Sequence, residues 1–254
     1  MNLALSNFAW DNQDSETIFK SLKENGINNI ESVLTKIKDW SELETKDIVS
    51  YKKYLDDNEI TPYSIQSLFY GVKCVDVTDV DIIISHFDKL IYYSKLLGVK
   101  VLVFGSPGLR KKANGWENSL VEIFTYVDNI LIGTDIKVLI EPNTSSYGGE
   151  FFHTVSEIVK FIDSNNLKNV RTMIDTHNSI LENVDPNVEL VEHFNYIEHI
   201  HVSEPKLVVI KEDEFHKNFS KTIKDSGYNK TITYEVMKSF DLIPSLEKFS
   251  KIYR

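Results

Sequence analysis

The sequence predicts a single-domain (β/α)8 TIM barrel that spans residues 1–254. Three observations support this fold class. Eight short apolar runs of strand type occur along the chain, longer amphipathic stretches of helical periodicity separate them, and no Pro-, Gly- or Ser-rich linker divides the sequence. The length of 254 residues also agrees, because eight βα units typically fill about 250 residues as one domain.

The predicted strands follow one another at regular intervals. They are LALSNFA (3–9), NIESVL (29–34), YSIQSLF (63–69), VKVLVFG (99–105), KVLIEP (137–142), VRTMID (170–175), HIHVSE (199–204) and ITYEVM (232–237). Helical patterns such as SETIFKSLKENG and TVSEIVKFIDSNN lie between them, and several end in Gly or Asn, as helix C-termini prefer. The competing fold is an open doubly wound sheet. It more usually has a Gly-rich turn after its first strand, where this chain has NFAWDNQDSE.

Composition and charge exclude several classes of partner. The net charge of −10 disfavours a nucleic-acid-binding protein, which needs clustered Lys and Arg. No apolar run approaches the roughly 18 residues of a membrane helix, and the first ten residues lack the basic start of a signal peptide. The single cysteine, Cys74, cannot form an internal disulfide. We therefore expect a cytoplasmic protein without nucleic-acid or membrane partners. A homo-oligomer remains open, because nothing in the sequence identifies an interface.

Four successive predicted strands carry an ionisable residue near their C-terminal ends. These residues are Glu141, Asp175, His201 and Glu235. In a barrel these strand ends share one face, where active sites form. Any one acid alone would more often be a loop cap or a salt-bridge partner. Three carboxylates crowded together would repel without a cation, whereas with an imidazole they suit one divalent ion such as Mn²⁺, Mg²⁺, Co²⁺ or Zn²⁺. The pattern therefore predicts a metal site made by these four residues.

The order Glu, Asp, His, Glu on the last four strands resembles the xylose-isomerase-like superfamily of TIM barrels. The closer likeness is to bacterial sugar phosphate isomerase/epimerase proteins, which are related to ketose 3-epimerases and apurinic-site endonucleases. The stretches that carry the resemblance cover nearly the whole chain. They are LSNFAW (5–10), IESVLTKIKDW (30–40), SIQSLFYG (64–71), LGVKVLVFGSPGLRK (97–111), IEPNTSSYGGEF (140–151), HIHVSEP (199–205) and YEVMKS (234–239).

The resemblance implies an activity and two catalytic residues. In the ketose 3-epimerases, two strand-end glutamates bind the metal and also move protons, and the matching positions here are Glu141 and Glu235. One glutamate would remove a proton from carbon, and the other would return it from the opposite face. The metal would act as a Lewis acid that stabilises an ene-diolate. An isomerase would move the proton between two carbons through the same intermediate.

The match to the epimerases is incomplete at two places. Their strand-six Asp is often followed three residues later by His, but here Asn178 has that position and His177 precedes it. Their Arg six residues after the strand-seven His is Leu207 here, with Lys206 beside it. His177, Asn178 and Lys206 stay candidate substrate-binding residues, but no particular ketose is supported. Glu204 does match the acid of the family's HxxE stretch, which commonly supports substrate binding.

Four more residues are candidate substrate contacts. Arg110, in the loop after the fourth strand, has a guanidinium that suits a phosphate or carboxylate, or it is a solvated loop charge. Gln66 is polar within an apolar strand, which favours a functional role. Asn143, two residues after Glu141, would orient a substrate hydroxyl or cap the loop. Phe8, past the first strand, would line the pocket or pack in the barrel.

The sequence therefore predicts a metal-dependent isomerase or epimerase that acts on a carbohydrate of low molecular mass. A related lyase or dehydratase of a keto-polyol uses the same metal and proton-abstraction logic. An apurinic-site endonuclease needs extra histidines at strands three, four and seven, and the third and fourth strands offer only QS and FGSPG. A non-catalytic barrel is opposed by the complete set of ligands. The sugar, its phosphorylation, the preferred ion and the oligomeric state stay open.

Overall fold

The computed structural model of the chain describes residues 2–74, 76–211 and 213–254. Within these ranges, eight parallel strands close into a barrel in sequence order, and the last strand pairs with the first. The strands are β1 (Asn2–Ser6), β2 (Asn29–Val33), β3 (Thr61–Gln66), β4 (Val101–Phe104), β5 (Lys137–Ile140), β6 (Val170–Asp175), β7 (Ile197–Val202) and β8 (Thr231–Tyr234). The predicted (β/α)8 TIM barrel is confirmed, and the strand bounds differ from those predicted by a few residues.

Helices surround the barrel and follow the strands in the alternation that the sequence predicts. In the described residues they are α1 (Ser15–Glu24), α2 (Thr45–Asp57), α3 (Val80–Leu97), α4 (Trp116–Ile130), α5 (Val155–Ser164), α6 (Thr176–Leu181), α7 (Pro186–Glu192), α8 (Glu214–Asp225) and α9 (Leu242–Tyr253). Side-chain caps set several helix starts. Thr154 accepts a hydrogen bond from the amide of Glu157, and Asp185 caps α7, which begins with Pro186. None of these helices combines the length and apolar character needed to cross a bilayer.

Most of the core lies between the helices and the outer faces of the strands. Between α3, β4 and α4, for example, Phe104 packs edge-on against Phe124 with ring centroids 5.4 Å apart. A small apolar cluster of Val101, Val103, Leu139 and Met173 is separate from these outer layers. Burying this apolar surface on both faces of the sheet stabilises the barrel, so the strand ends can carry polar residues.

Candidate metal centre

Glu141, His201 and Glu235 converge at the C-terminal face of the barrel. Glu141 and Glu235 come directly after β5 and β8, and His201 lies on β7. The Nδ1 atom of His201 is 3.1 Å from Glu141 Oε1 and 3.4 Å from Glu235 Oε2. Ligand bonds of about 2.1 Å to one divalent ion place donor atoms roughly 3.0 to 3.5 Å apart. The buried Nδ1 also has no hydrogen-bond partner in the described structure. The three side chains therefore fit a metal ion in both donor chemistry and spacing.

The other ring nitrogen of His201 faces an acid from the opposite half of the barrel. Glu31 on β2 is fully buried, and its Oε1 lies 2.8 Å from His201 Nε2. Its Oε2 accepts a hydrogen bond of 2.6 Å from Ser64 and lies 3.4 Å from His199 Nε2. Metal-ligating imidazoles almost always present their second nitrogen to a carboxylate or carbonyl oxygen. Glu31 has the position for that role toward His201.

Glu31, His199 and His201 also form a second close group of potential ligand atoms. His199 is fully buried, its Nε2 is 3.0 Å from Thr233 Oγ1, and its ring stacks on Tyr63. These contacts are those of a histidine packed in the barrel interior, apart from an Nδ1 that lacks a partner in the described structure. Because Ser64 and Thr233 already serve as partners there, we assign this group to support of His201.

The ionisation of these groups is coupled through their charges. Burial alone would lower the pKa of His201, but the Glu31 and Glu235 carboxylates raise it well above the usual value. Burial alone would raise the pKa of Glu31, but His201 and His199 hold it well below its usual range. Burial raises the pKa of Glu235 against the opposing charge of His201. Without a metal, His201 is thus the cation that offsets the acids.

Asp175 ends β6 beside these three residues but outside their close cluster. Its Oδ1 accepts hydrogen bonds from the hydroxyl of Ser203 and, at 3.0 Å, from the amide of His177. Burial and the charges of Glu141 and Glu235 raise the pKa of Asp175 to about 8. The metal-binding role predicted for Asp175 stays a prediction. The repulsion that raises its pKa is the effect that a cation would relieve.

The carboxylate of Glu141 is fixed by two neighbours. Asn143 donates from Nδ2 to Glu141 Oε2 at 3.1 Å, which leaves Oε1 directed at His201. On the other side lies Gly105, directly after β4, where an added Cβ would be only 2.3 Å from Glu141 Oε2. The sequence leaves two roles open for Asn143, a substrate contact or a loop cap. The structure shows that it orients Glu141, and a substrate contact through its unpartnered Oδ1 stays a prediction.

Arg110 is not the solvated loop charge that is one of its two predicted roles. It is fully buried rather than solvated, and its guanidinium donates to three main-chain carbonyls, of Phe104, Glu141 and Phe152. Burial lowers its pKa to about 10, so it remains a cation at neutral pH. Its Nε has no hydrogen-bond partner in the described structure, and a direct contact with a substrate phosphate or carboxylate stays a prediction.

His177 and Asn178, in α6 directly after β6, are two further predicted substrate contacts. His177 is buried, which lowers its pKa, and its Nε2 lies 2.7 Å from the hydroxyl of Tyr147. Asn178 is buried as well, and its Nδ2 donates to the carbonyl of His153 at 2.8 Å. Its Oδ1 lacks a partner in the described structure. Substrate contacts by His177 and Asn178 stay predictions.

The remaining predicted substrate contacts are more scattered. Gln66 is buried and donates to Ser6 Oγ at 2.6 Å. Phe8 is half-buried. Lys206 is exposed, with a left-handed backbone at φ 67°. Glu204 is buried, and its Oε1 lies 3.3 Å from His216 Nε2, so this carboxylate oxygen already has a partner within the protein. Substrate binding by these four residues stays a prediction.

Sequence reasoning missed Glu31, Gly105 and the burial of Arg110. The signal for Glu31 was an acid inside the apolar run NIESVL, which requires a buried partner. No feature of FGSPGLR distinguishes a guanidinium that binds carbonyls from one that binds a ligand.

Comparisons with known proteins agree with this architecture. The family model described as a xylose isomerase-like TIM barrel matches residues 19–248. No curated protein matches the sequence.

Among solved structures, an AP endonuclease of family 2 from Brucella melitensis has a TM-score of 0.81 at 15% identity and covers 99% of each chain. A 3-keto-D-glucoside 4-epimerase from E. coli has a TM-score of 0.76 at 14% identity, covering 98% of this chain and 97% of its own. A D-psicose 3-epimerase from Clostridium cellulolyticum H10 also reaches 0.76, at 16% identity, covering 100% of this chain and 90% of its own. At these identities the similarity concerns the fold.

Proposed function

Because the chain belongs to the xylose isomerase-like TIM barrel family, we propose that it is a divalent-metal-dependent isomerase or epimerase of a sugar or sugar phosphate. The observation that carries this proposal is that carboxylate oxygens of Glu141 and Glu235 lie 3.1 Å and 3.4 Å from one buried imidazole nitrogen, Nδ1 of His201. Both carboxylates stand where they could bind a metal and also accept a proton from carbon. The epimerases among the structural neighbours support the same class of substrate.

In this proposal Glu141, Asp175, His201 and Glu235 hold one ion of Mn²⁺, Mg²⁺, Co²⁺ or Zn²⁺. The bound ion would supply Lewis-acid stabilisation for negative charge that develops on two adjacent substrate oxygens. Glu31 Oε1 lies 2.8 Å from His201 Nε2, where its charge would keep Nδ1 directed at the two glutamates. Carboxylate and imidazole ligands of this kind suit a hard or borderline ion.

Glu141 and Glu235 then carry the proton transfers. One carboxylate takes a proton from a carbon next to the carbonyl. The other glutamate, which is protonated beforehand, delivers its own proton to the opposite face of that carbon, which inverts its configuration. The two glutamates then exchange protons with solvent. Burial raises the pKa of Glu235 and so strengthens it as a base. Asn143 and Gly105 restrict Glu141 to one orientation, which keeps the base in reach of the carbon.

The alternative is a lyase or dehydratase that removes the same proton and then expels a hydroxide from the neighbouring carbon. It would use the same four ligands and the same two glutamates. An apurinic-site phosphodiesterase is disfavoured by the net charge of −10, despite the AP endonuclease among the structural neighbours.

Metal stoichiometry and solvent hydrogen exchange test the proposal together. Purified protein is loaded with Mn²⁺, its metal content is measured, and unphosphorylated ketoses and sugar phosphates are screened in D₂O by NMR for deuterium uptake at carbon. We expect one ion per chain, and exchange that Glu235→Gln lowers by at least about 1,000-fold, since the base is lost while the charge-neutral side chain keeps its shape. Asp175→Asn is expected to weaken Mn²⁺ binding.

Each other outcome identifies a different failure. Two or three ions per chain would favour the phosphodiesterase, and loss of water without deuterium return to substrate would favour the dehydratase. Unchanged exchange in Glu235→Gln would remove that residue from the acid/base pair. No bound ion in protein that retains its fold would contradict the metal-dependent proposal.

A further inference from the structure

Arg110 is the largest side chain that the barrel buries completely, and the proton-transfer mechanism does not use it. Its contacts lie around the segment that carries Glu141. Nη2 donates to the carbonyls of Phe104 at 3.0 Å and of Glu141 itself at 2.7 Å, and Nη1 donates to the carbonyl of Phe152 at 3.1 Å. The guanidinium also lies near the rings of Phe104 and Phe152, with its central carbon 5.5 Å and 6.0 Å from their centroids.

The same carbonyls also hold the backbone amides on either side of Pro142. Phe104 O accepts from the amide of Glu141 at 3.1 Å, and Phe152 O accepts from the amide of Asn143 at 3.0 Å. Arg110 therefore braces both carbonyls that fix residues 141–143, and it binds the carbonyl of Glu141 directly. The ends of β4 and β5 and the loop before α5 meet at this one guanidinium.

We infer that Arg110 is a positioning residue that fixes the backbone of residues 141–143 and thereby aims the Glu141 carboxylate at the metal centre. A planar guanidinium satisfies three carbonyls that converge from different segments, which a single ammonium cannot do with the same geometry. Its buried positive charge is held by carbonyl oxygens in the described structure, so it also offsets the acids of the site without neutralising one of them. The inference rests on the proposed function only for its effect on metal binding.

Arg171 provides a matched control at the opposite end of the barrel. It also donates to two main-chain carbonyls, of Leu167 at 3.0 Å and of Val170 at 2.9 Å, and it lies near the ring of Tyr196. These contacts are at the start of β6, away from the C-terminal face. Substitution of Arg171 therefore removes arginine–carbonyl contacts away from Glu141, whereas substitution of Arg110 removes them at the segment that carries Glu141.

The experiment compares Arg110→Met, Arg110→Lys and Arg171→Met. Amide hydrogen–deuterium exchange over residues 139–144 is measured in metal-free protein, and Mn²⁺ affinity is measured by calorimetry. We expect faster exchange at the amides of Glu141 and Asn143 in both Arg110 variants, and Mn²⁺ binding weakened about tenfold or more, as for other residues that orient metal ligands. Arg171→Met is expected to change neither quantity, even where it lowers the melting temperature.

A third substitution of Arg110 allows chemical rescue, which gives a result even if Arg110→Met and Arg110→Lys misfold. Arg110→Ala leaves a cavity lined by the three carbonyls, so methylguanidinium, and not methylammonium, is expected to restore Mn²⁺ affinity. Unchanged exchange and Mn²⁺ affinity in folded Arg110→Met would overturn the inference, as would raised substrate KM alone, which indicates direct substrate contact. If the wild type binds no Mn²⁺ but the Arg110 variants still exchange faster, the positioning role is retained and the proposed function is refuted.

Discussion

The two halves of the barrel end their strands differently. At or next to the ends of β5, β6, β7 and β8 stand four ionisable residues: Glu141, Asp175, His201 and Glu235. The ends of β1, β2 and β3 are Ser6, Val33 and Gln66, and Gly105 follows β4. The second half thus concentrates acidic groups that repel one another when no cation is bound. Burial, together with this repulsion, raises the pKa of Asp175 and that of Glu235.

The first half contributes the parts that make this concentration tolerable. Glu31 on β2 lies 2.8 Å from His201 Nε2, and the absence of a side chain at Gly105 leaves space for Glu141. Arg110, after β4, donates a hydrogen bond to the carbonyl of Glu141. A metal site in this fold thus needs supporting residues as much as ligands, since unsupported ligands would relax apart. Changes to the supporting residues, or to protonation, therefore separate the two roles.

Among changes outside the proposed ligands, the largest effect is expected for Gly105→Ala. The added Cβ would be 2.3 Å from Glu141 Oε2 and would displace that carboxylate from His201. A displacement of about 1 Å at a catalytic group costs about 100-fold in rate. We expect a loss of that order in substrate deuterium exchange, with weaker Mn²⁺ binding.

Gly108→Ala is the matched control for this change. Its added Cβ meets nothing within 4 Å, and its backbone is not in the left-handed region. Equal losses in both variants would indicate that the loop after β4, rather than space for Glu141, is the sensitive feature. An unchanged exchange rate in Gly105→Ala would show that Glu141 tolerates displacement.

Glu31→Gln tests support from the opposite half of the barrel. The amide keeps the shape of Glu31 but removes the charge that lies 2.8 Å from His201 Nε2. We expect Mn²⁺ to bind about 10- to 100-fold more weakly, as is usual when the carboxylate behind a ligating histidine is changed. Calorimetry at constant pH measures this affinity.

The control for this variant is Glu189→Gln. Glu189 is also a buried carboxylate, on α7, and it accepts a hydrogen bond from the amide of Val155 at 3.0 Å. If both variants bind Mn²⁺ like the wild type, Glu31 is a packing residue and the first half of the barrel has one supporting contact fewer.

Protonation is expected to oppose metal binding in the second half. Burial and neighbouring acids raise the pKa of Asp175 to about 8, and neighbouring carboxylates raise that of His201 against the effect of burial. Both groups therefore hold protons at neutral pH that a metal must displace. For each proton displaced, Mn²⁺ affinity is expected to fall about tenfold from pH 7 to pH 6. Proton release on Mn²⁺ addition, measured in weakly buffered solution, checks the number.

The same shifts predict how the metal-free protein responds to pH. Between the ordinary value of 3.8 and about 8, folded Asp175 binds a proton that the unfolded chain has lost. The free energy of unfolding therefore decreases as pH rises through this range. Urea unfolding at pH 5 and pH 8 measures the difference, and Asp175→Asn is expected to reduce it. A difference that the variant leaves unchanged would assign the pH dependence to other groups.

The sequence was informative about one half of this centre and not about the other. The strands and the C-terminal face followed from local patterns, and Glu141, Asp175, His201 and Glu235 stood out because each interrupts or ends an apolar run. Support arises from contacts between distant segments. Glu31 interrupts an apolar run, which indicates a buried partner, but that partner, His201, lies 170 positions away in the chain. The partners of Arg110 come from three segments, so no local pattern identifies the partners of either residue.

The smallest effect is expected at the rim, for Tyr147→Phe. The hydroxyl of Tyr147 lies 2.7 Å from His177 Nε2, but the side chain is 52% exposed. Loss of one such hydrogen bond corresponds to about 1 kcal/mol, or roughly a fivefold change in equilibrium. We expect KM for the substrate identified by exchange screening to rise by up to that factor, with kcat unchanged. Tyr70→Phe, at a tyrosine that is 73% exposed, is the control.

A loss of about 100-fold in kcat in Tyr147→Phe would mean that Tyr147 and His177 move a proton. The acid/base groups would then extend beyond the two glutamates, and the second half would provide both the ligands and a separate proton path.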